Sequence, residues 1–468
     1  MPQSLVRTRF APSPTGFLHI GGLRTAAYAY ALAKHSGGKF ILRIEDTDKK
    51  REVEGGKESI YKILQQFNLN WDEGPIIGGP HSPYIQSERV KTGIYQKAAQ
   101  KLLDEGHAFY CFCQIKTKEE IKTERSEYKI QFRDPCHYLS EEEVKQKLAS
   151  GIKPAIRLKV PDREKISYSD FVLKKTTEWK TDVVDDAMLL KSDGFPTYHL
   201  AVVVDDNEMQ ITHALRGHDW MPSTPIHLLI YKFLKFPLPK IGHLTDILDP
   251  AGGKLSKRKG NVSCEQFINE GYLPEAILNF VILLGWAPKD NRELFTLDEF
   301  VTAFAENGFQ KSNPLFDTNK LNWLNGQYIR QKTNEELLQL IKPFIKQPVD
   351  DFLLLKIIPL VKERISKLDQ FNQFSKFFFE KPVPPEQTII VKEYLQLAFE
   401  ILEKTDWEKS AIESALVKEV DAKGWHRGDF FMALRLAITG QKVTPPLTES
   451  MIILGKPECL ERIKNAAP

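Results

Sequence analysis

Two short segments of this chain hold the residue types needed to handle a nucleoside triphosphate. The first is Arg9-Phe-Ala-Pro-Ser-Pro-Thr-Gly-Phe-Leu-His19-Ile-Gly-Gly22. Its prolines restrict a turn and its glycine lets it bend. An Ala-rich helical run follows, so His19 falls at a helix N-terminus, where free N–H groups and the helix dipole favour phosphate. Gly21 and Gly22 have no side chain, so an adenine or ribose can lie against the backbone. The second segment is Lys254-Leu-Ser-Lys257-Arg258 in a Gly-flanked loop. Two lysines at this spacing can close over a triphosphate and balance charge that builds on the α-phosphate and the departing pyrophosphate. Taken singly, each segment also fits a bland reading, a capped turn or a solvated basic loop. A third cluster, Cys111-Phe-Cys113 and then Cys136-His137, offers thiolate and imidazole ligands that suit tetrahedral zinc. The alternative for that cluster is a decayed site of three reduced thiols.

These residues need a scaffold, and the sequence pattern supplies one. Residues 5–10 read as a strand, 22–35 as a helix and 39–45 as a second strand, followed by charged helices near 52–68 and 87–105. Strand–helix–strand at this spacing predicts a βαβ unit with a parallel sheet. Residues 183–190 and 197–204 read as further strands and 223–234 as a helix. The later chain is a succession of amphipathic helices, with a linker near 380–385. The expected organisation is a multidomain α/β protein. A Rossmann-like catalytic domain over 1–110 and 183–260 is interrupted by an α+β insertion at 111–182. A stem-contact region follows at 261–330 and an all-α region at 331–468. The length of 468 residues supports about three domains. With 42% hydrophobic and 27% charged residues, the chain is neither disordered nor membrane-like. A formal charge of +3 excludes a polycation and leaves a local basic face open. Five cysteines in so long a chain do not form a disulfide framework. No apolar signal or run of membrane-spanning length is apparent, and the expected location is the cytoplasm.

The two signature segments, in this order and roughly 235 residues apart, resemble those of the class I aminoacyl-tRNA synthetases. The likeness sharpens in Gly38-Lys-Phe-Ile-Leu-Arg-Ile-Glu45-Asp-Thr-Asp48, Trp71-Asp-Glu-Gly74, Ser192-Asp-Gly-Phe-Pro-Thr-Tyr198 and Leu215-Arg216-Gly-His-Asp-Trp220. These look like the bacterial-type glutamyl-tRNA synthetases. Gly271-Tyr-Leu-Pro-Glu-Ala and Leu434-Arg-Leu-Ala-Ile-Thr-Gly440 extend the likeness over essentially the whole chain. The resemblance implies ATP-dependent activation of L-glutamate and its transfer to the terminal adenosine of tRNA(Glu). Arg9, Ala11, Ser13, Glu45, Tyr198 and Arg216 would line the amino-acid site. His19, Gly21, Gly22, Asp219, Trp220, Ile247, Leu248 and Lys257 would contact ATP. His19, Lys254 and Lys257 would act on its phosphates, with Mg²⁺ accompanying the nucleotide. Glutamate carries two carboxylates and one ammonium, and arginines with an acid at the carboxyl ends of parallel strands suit it.

The family's zinc-binding members imply Cys111, Cys113, Cys136 and His137 as ligands, although His137 here follows Cys136 directly. Val202 stands where some relatives carry asparagine, and His218 where many carry an acid. Glutaminyl-tRNA synthetase, the nearest alternative, lacks the arginine matching Arg216 and has β-barrel anticodon domains. A short paralogue that glutamylates a tRNA base lacks the region supplied here by 331–468. A catalytically dead tRNA-binding protein would not be expected to keep His19, Lys257, Arg9 and Arg216. Family precedent favours a monomer. Lys362, Arg364, Lys367 and the phenylalanines Phe371, Phe374, Phe377 and Phe378 read either as an anticodon-contacting face or as a helical core beneath a solvated basic surface.

Overall fold

The computed structural model is described for residues 5–48, 50–113, 134–255, 262–382 and 391–466. It divides into two compact units, one of residues 1–266 and 278–317, the other of 267–277 and 318–468.

In the first unit, β1 (Arg7–Phe10), helix α1 (Ile20–His35) and β2 (Lys39–Leu42) form the expected βαβ unit. Its alanines let α1 lie close on the sheet: Ala26, Ala27, Ala29, Ala31 and Ala33 are fully buried. The Tyr28 hydroxyl on the same helix donates to the Ile282 carbonyl at 2.8 Å.

The chain then leaves through β3 (Ala108–Cys111), β4 (Ala155–Leu158), β5 (Lys165–Asp170), β6 (Lys175–Lys180) and β7 (Met188–Leu190). Strands β3, β4 and β7 make an antiparallel sheet, and β5 and β6 a hairpin. Together with the helix Glu141–Ala149, started by a Ser140/Glu143 capping box, they form an α+β region whose strands β3 and β7 extend beyond the expected 111–182 into segments read as catalytic sheet. The catalytic sheet resumes with β8 (His213–Gly217) and β9 (Lys240–Leu244), in the order β2-β1-β8-β9 with every pair parallel. Such a sheet opens a crevice at the carboxyl ends of its strands.

Residues 197–204 are not a strand. They begin α2 (Tyr198–Glu208), whose Leu200, Ala201, Val202, Val203 and Val204 are all buried. A helix buried on nearly every side has no polar face, and its valines then mimic a strand. Helix α3 (Thr224–Leu234) matches the expected one. The charged stretch near 87–105 is broken in two at Gly93, whose φ of 77° no other residue adopts cheaply.

The second unit is helical, from Thr318–Gln331 to Lys456–Ala466. Leu395, Leu402, Ile412, Leu416, Phe430, Leu434, Met451 and Ile463 form one of its cores. Phe371, Phe377 and Phe378 are buried, so these aromatics belong to the core and not to a nucleic-acid face. Among the described residues, no helix is long and apolar enough to cross a membrane.

Candidate active site

A cleft of about 1270 Å³ opens at the carboxyl ends of β1, β8 and β9. Its walls include Arg9, Ala11, Ser13, His19, Gly21, Gly22, Glu45, Tyr198, Arg216, Asp219, Trp220, Ile247 and Lys254. Residues drawn from both ends of the first unit's sequence thus meet in one place. Leu248 is not among the walls. Its backbone pairs with Lys254 on one side and Leu315 on the other, so it supports the loop that carries Lys254. Lys257 lies outside the described residues.

His19 caps α1, its Nδ1 accepting from the Gly22 N–H at 3.1 Å, which leaves the ring proton on Nε2. The glycines after it serve that ring as much as any ligand. A Cβ on Gly21 would meet the imidazole at 3.1 Å, and one on Gly22 would meet Leu18 Cδ1 at 2.7 Å. Lys254 is held in ion pairs with Asp246, at 2.9 Å, and with Asp219. Partial burial pulls its ammonium down, and the two carboxylates more than reverse that.

Arg9 and Arg216 are both buried but differ in partners. Arg9 donates to Asp206 at 3.0 Å and to the Leu215 carbonyl at 3.0 Å, tying β1 to α2 and β8. Asp206 also takes Arg43 at 2.7 Å, and Arg43 in turn reaches Glu45 at 3.1 Å. Beside it, Asp205 accepts from Arg89, Tyr95 and Gln86. Burial alone would raise the Asp206 carboxyl, but Arg9 and Arg43 hold it below its ordinary value. For Glu45, burial prevails over Arg43 and Arg9 and raises it. Arg216 instead donates to His243 Nε2 at 3.0 Å, His227 Nδ1 at 2.9 Å and Thr224 Oγ1 at 2.8 Å. Tyr198 lies against Trp220, ring centroids 4.3 Å apart.

The family follows from comparison. Residues 5–323 match the model for the catalytic domain of class I tRNA synthetases (E and Q), and 336–467 match an anticodon binding domain. A glutamate–tRNA ligase of Treponema denticola is 41% identical over 98% of this chain and 99% of its own length. One from Finegoldia magna is 40% identical over 99% of both. The chain belongs to the class I glutamate–tRNA ligases. The crystal structure of a glutamate tRNA ligase from Elizabethkingia meningosepticum, in complex with its amino acid, covers 99% of both chains with a TM-score of 0.88 and 36% identity. As a glutamate–tRNA ligase, the chain is an aminoacyl-tRNA ligase of protein biosynthesis.

Several residues in or behind this site escaped the sequence reading. Asp205, Asp206 and Arg43 form its buried charge network, and two acids after an apolar run were the available signal. Lys191, whose Nζ reaches the Thr47 carbonyl at 3.3 Å, also lines the cleft. Val202 is buried in an apolar core that includes Leu200 and Ile230, and offers no polar contact.

At the insertion, ligand atoms of Cys111, Cys113, Asp134 and Cys136 lie within 4.8 Å of one another. His137 is not with them, and its Nδ1 faces Asp186 at 2.8 Å instead. The short 3₁₀ turn Pro135–Tyr138 separates the directions of Cys136 and His137, while its N-cap Asp134 turns toward the sulfurs. Cys113 and Cys136 Sγ are 3.5 Å apart. Tetrahedral zinc with Zn–S bonds of 2.3 Å would need ~3.8 Å. The backbone N–H of Phe112 also points at Cys136 Sγ, at 3.5 Å. Three thiolates and a carboxylate therefore fit that ion.

Proposed function

We propose that the cleft binds glutamate through Arg9, Ala11, Ser13, Glu45, Tyr198 and Arg216. Its ATP would lie along His19, Gly21, Gly22, Asp219, Trp220 and Ile247, with Leu248 supporting the segment from behind. The observation that carries this reading is the pair of buried arginines at adjacent strand ends, one on the buried charge network and one on neutral acceptors. Arg216 suits the side-chain carboxylate, and Arg9 with Glu45 the amino-acid end.

The α-carboxylate oxygen attacks the α-phosphorus, its new P–O bond replacing the one to the leaving pyrophosphate. A ribose hydroxyl of the terminal adenosine of tRNA(Glu), the 2′-OH by family precedent, then attacks the adenylate carbonyl and AMP departs. The chain's contribution is position and charge: His19 Nε2–H, Lys254 and Lys257 neutralise phosphate oxygens, with no covalent bond to the enzyme. To do so Lys254 must leave Asp219 and Asp246, which pair with it here. Mg²⁺ would enter with ATP and add to that neutralisation, and the same two carboxylates offer the oxygen donors it favours.

The insertion would meet the acceptor end of tRNA, 261–330 its stem and 331–468 its anticodon. The enzyme would work as a cytoplasmic monomer. The anticodon binding domain matched over 336–467 and the helical second unit support the tRNA contact of 331–468.

Arg216→Gln tests the reading. We expect the glutamate KM to rise about a hundredfold or more while the ATP KM stays within threefold, because a polar mismatch of this kind rejects a substrate strongly. An unchanged glutamate KM would reject it. For the metal, we propose a structural zinc on Cys111, Cys113, Asp134 and Cys136. Metal analysis of the purified chain should give about one zinc per molecule, lost in Cys113→Ala and kept in His137→Ala. Retention in the first or loss in the second overturns that ligand set.

A further inference from the structure

Arg216 is only 7% exposed, yet among the described residues no carboxylate forms an ion pair with it. A buried cation without an anion is costly unless its donors are satisfied and an anion arrives in the working complex. Its donors are satisfied, by neutral groups in a specific protonation pattern. A guanidinium only donates, so His243 Nε2 must present a lone pair and the ring proton must sit on Nδ1. That proton faces Asp170 Oδ2 at 2.7 Å. Asp170 also accepts the backbone N–H of Val172 and of Leu173, each at 2.9 Å, and the Tyr168 hydroxyl at 2.9 Å. On the other side, His227 Nδ1 accepts from Arg216, so its proton lies on Nε2, 3.2 Å from His199 Nδ1.

The chain Asp170–His243–Arg216–His227–His199 therefore has one consistent set of proton positions. Burial, aided by the charge of Arg216, keeps His227 well below its ordinary range and His199 at about 4. Burial also lowers His243, against the opposing pull of Asp170. Arg216 thus remains the cation of this cluster, its charge not cancelled by any neighbour that touches it.

We infer that His243, fixed in its tautomer by Asp170 on the β5–β6 hairpin, is a positioning residue that aims Arg216 while leaving its charge for the substrate's side-chain carboxylate. The inference rests on the reading of Arg216 given above. An ordinary carboxylate in place of His243 would hold the guanidinium equally well but neutralise it, and the pocket would lose its reason to prefer an acid over the corresponding amide. The neutral acceptor is the specificity device, and the hairpin of the insertion is what holds it.

The test uses the full chain, with steady-state aminoacylation varied in glutamate and in ATP and folding checked by thermal melting. His243→Phe keeps a ring but offers no acceptor, and should raise the glutamate KM about tenfold with the ATP KM within twofold. His243→Gln returns an acceptor near Nε2 and should recover most of that loss. Asp170→Asn frees the tautomer and should raise the glutamate KM about threefold to tenfold. His243→Glu should lower the ratio of kcat/KM for glutamate over glutamine about tenfold. Equal effects of Phe and Gln, a parallel rise in the ATP KM, or an undiminished ratio in His243→Glu would overturn the inference. If His243→Phe does not fold, Asp170→Asn decides, and an unchanged glutamate KM there rejects the role. Arg216→Gln, run alongside, separates the two levels. If it spares the glutamate KM, the reading of Arg216 fails; if it raises the KM and the His243 set does not, only this inference fails.

Discussion

Asp206 has two guanidinium partners and almost no solvent, so its charge has nowhere else to go. Asp206→Asn would leave Arg9 and Arg43 buried with one fewer anion between them. Breaking a buried pair in this way costs about 3–5 kcal/mol, far more than an exposed bridge. We expect urea melts of the full chain to show the catalytic unit unfolding at a lower midpoint, with its unfolding free energy reduced by that amount, and a higher glutamate KM in the fraction that folds. An unmoved midpoint would mean that the network is not stabilising. This residue also shows what the sequence could disclose about the site. Arg9, Glu45 and Arg216 were legible through the resemblance, and because arginines with an acid near the carboxyl ends of parallel strands suit glutamate. Asp206 was not, because reading 197–204 as a strand cut it off from Tyr198, which shares its helix. His227 and His243 were illegible for a different reason: each acts through one ring nitrogen facing a residue that only the tertiary fold brings near.

At the scale of elements, the parallel pair β1–β2 positions Arg9, and Gly38 sets how closely the two strands approach. The Lys39 N–H donates to the Val6 carbonyl at 2.9 Å, and a Cβ on Gly38 would lie 1.9 Å from that same oxygen. The obstacle is backbone, so no rotamer change relieves it. Gly38→Ala must push β1 away from β2, lose that bond and shift Arg9. A cost at the upper end of single substitutions, about 4 kcal/mol, is expected. Melting temperature together with glutamate KM checks it, and a variant matching the parent in both would refute the close approach. The βαβ pattern was readable here because the helix is flanked by apolar strands of the right length. The insertion was readable only as a change in composition. Its strands are short, its hairpin is largely polar, and β4 carries a register shift against β7. The strand β5, Lys165-Ile-Ser-Tyr-Ser-Asp170, keeps an alternation, but over too few residues to reveal its sheet.

For the molecule as a whole, the same buried imidazoles that serve Arg216 set a limit on acid tolerance. Burial, with help from nearby cations, lowers His199 and His213 to about 4 each, and lowers His227 well below its ordinary value. In the unfolded chain each would take up a proton near pH 6.5. Between about pH 6.5 and 4 the unfolded state therefore binds protons that the native state refuses, and stability falls as pH falls. A shift of this size contributes at most about 3 kcal/mol per histidine, less where the ring is partly exposed. The carboxylates act elsewhere on the scale. Asp170 and Asp206 are held below their ordinary values despite burial, and their contribution is lost only as pH falls below about 4. Glu45, raised by burial against Arg43 and Arg9, has the opposite sign and slightly favours the native state on acidification. The window between neutrality and pH 5 thus belongs to the histidines. Melting at constant ionic strength should show a plateau above pH 7 and a loss of roughly 5 °C by pH 5. Because the two rings in the chain around Arg216 stay unprotonated in the native state over that window, the glutamate KM of the folded enzyme should change there no faster than the ATP KM. A flat melting curve from pH 7.5 to 5 would mean that these imidazoles take up protons in the native state as readily as in the unfolded chain. That would contradict the lone pair which His227 must present to Arg216.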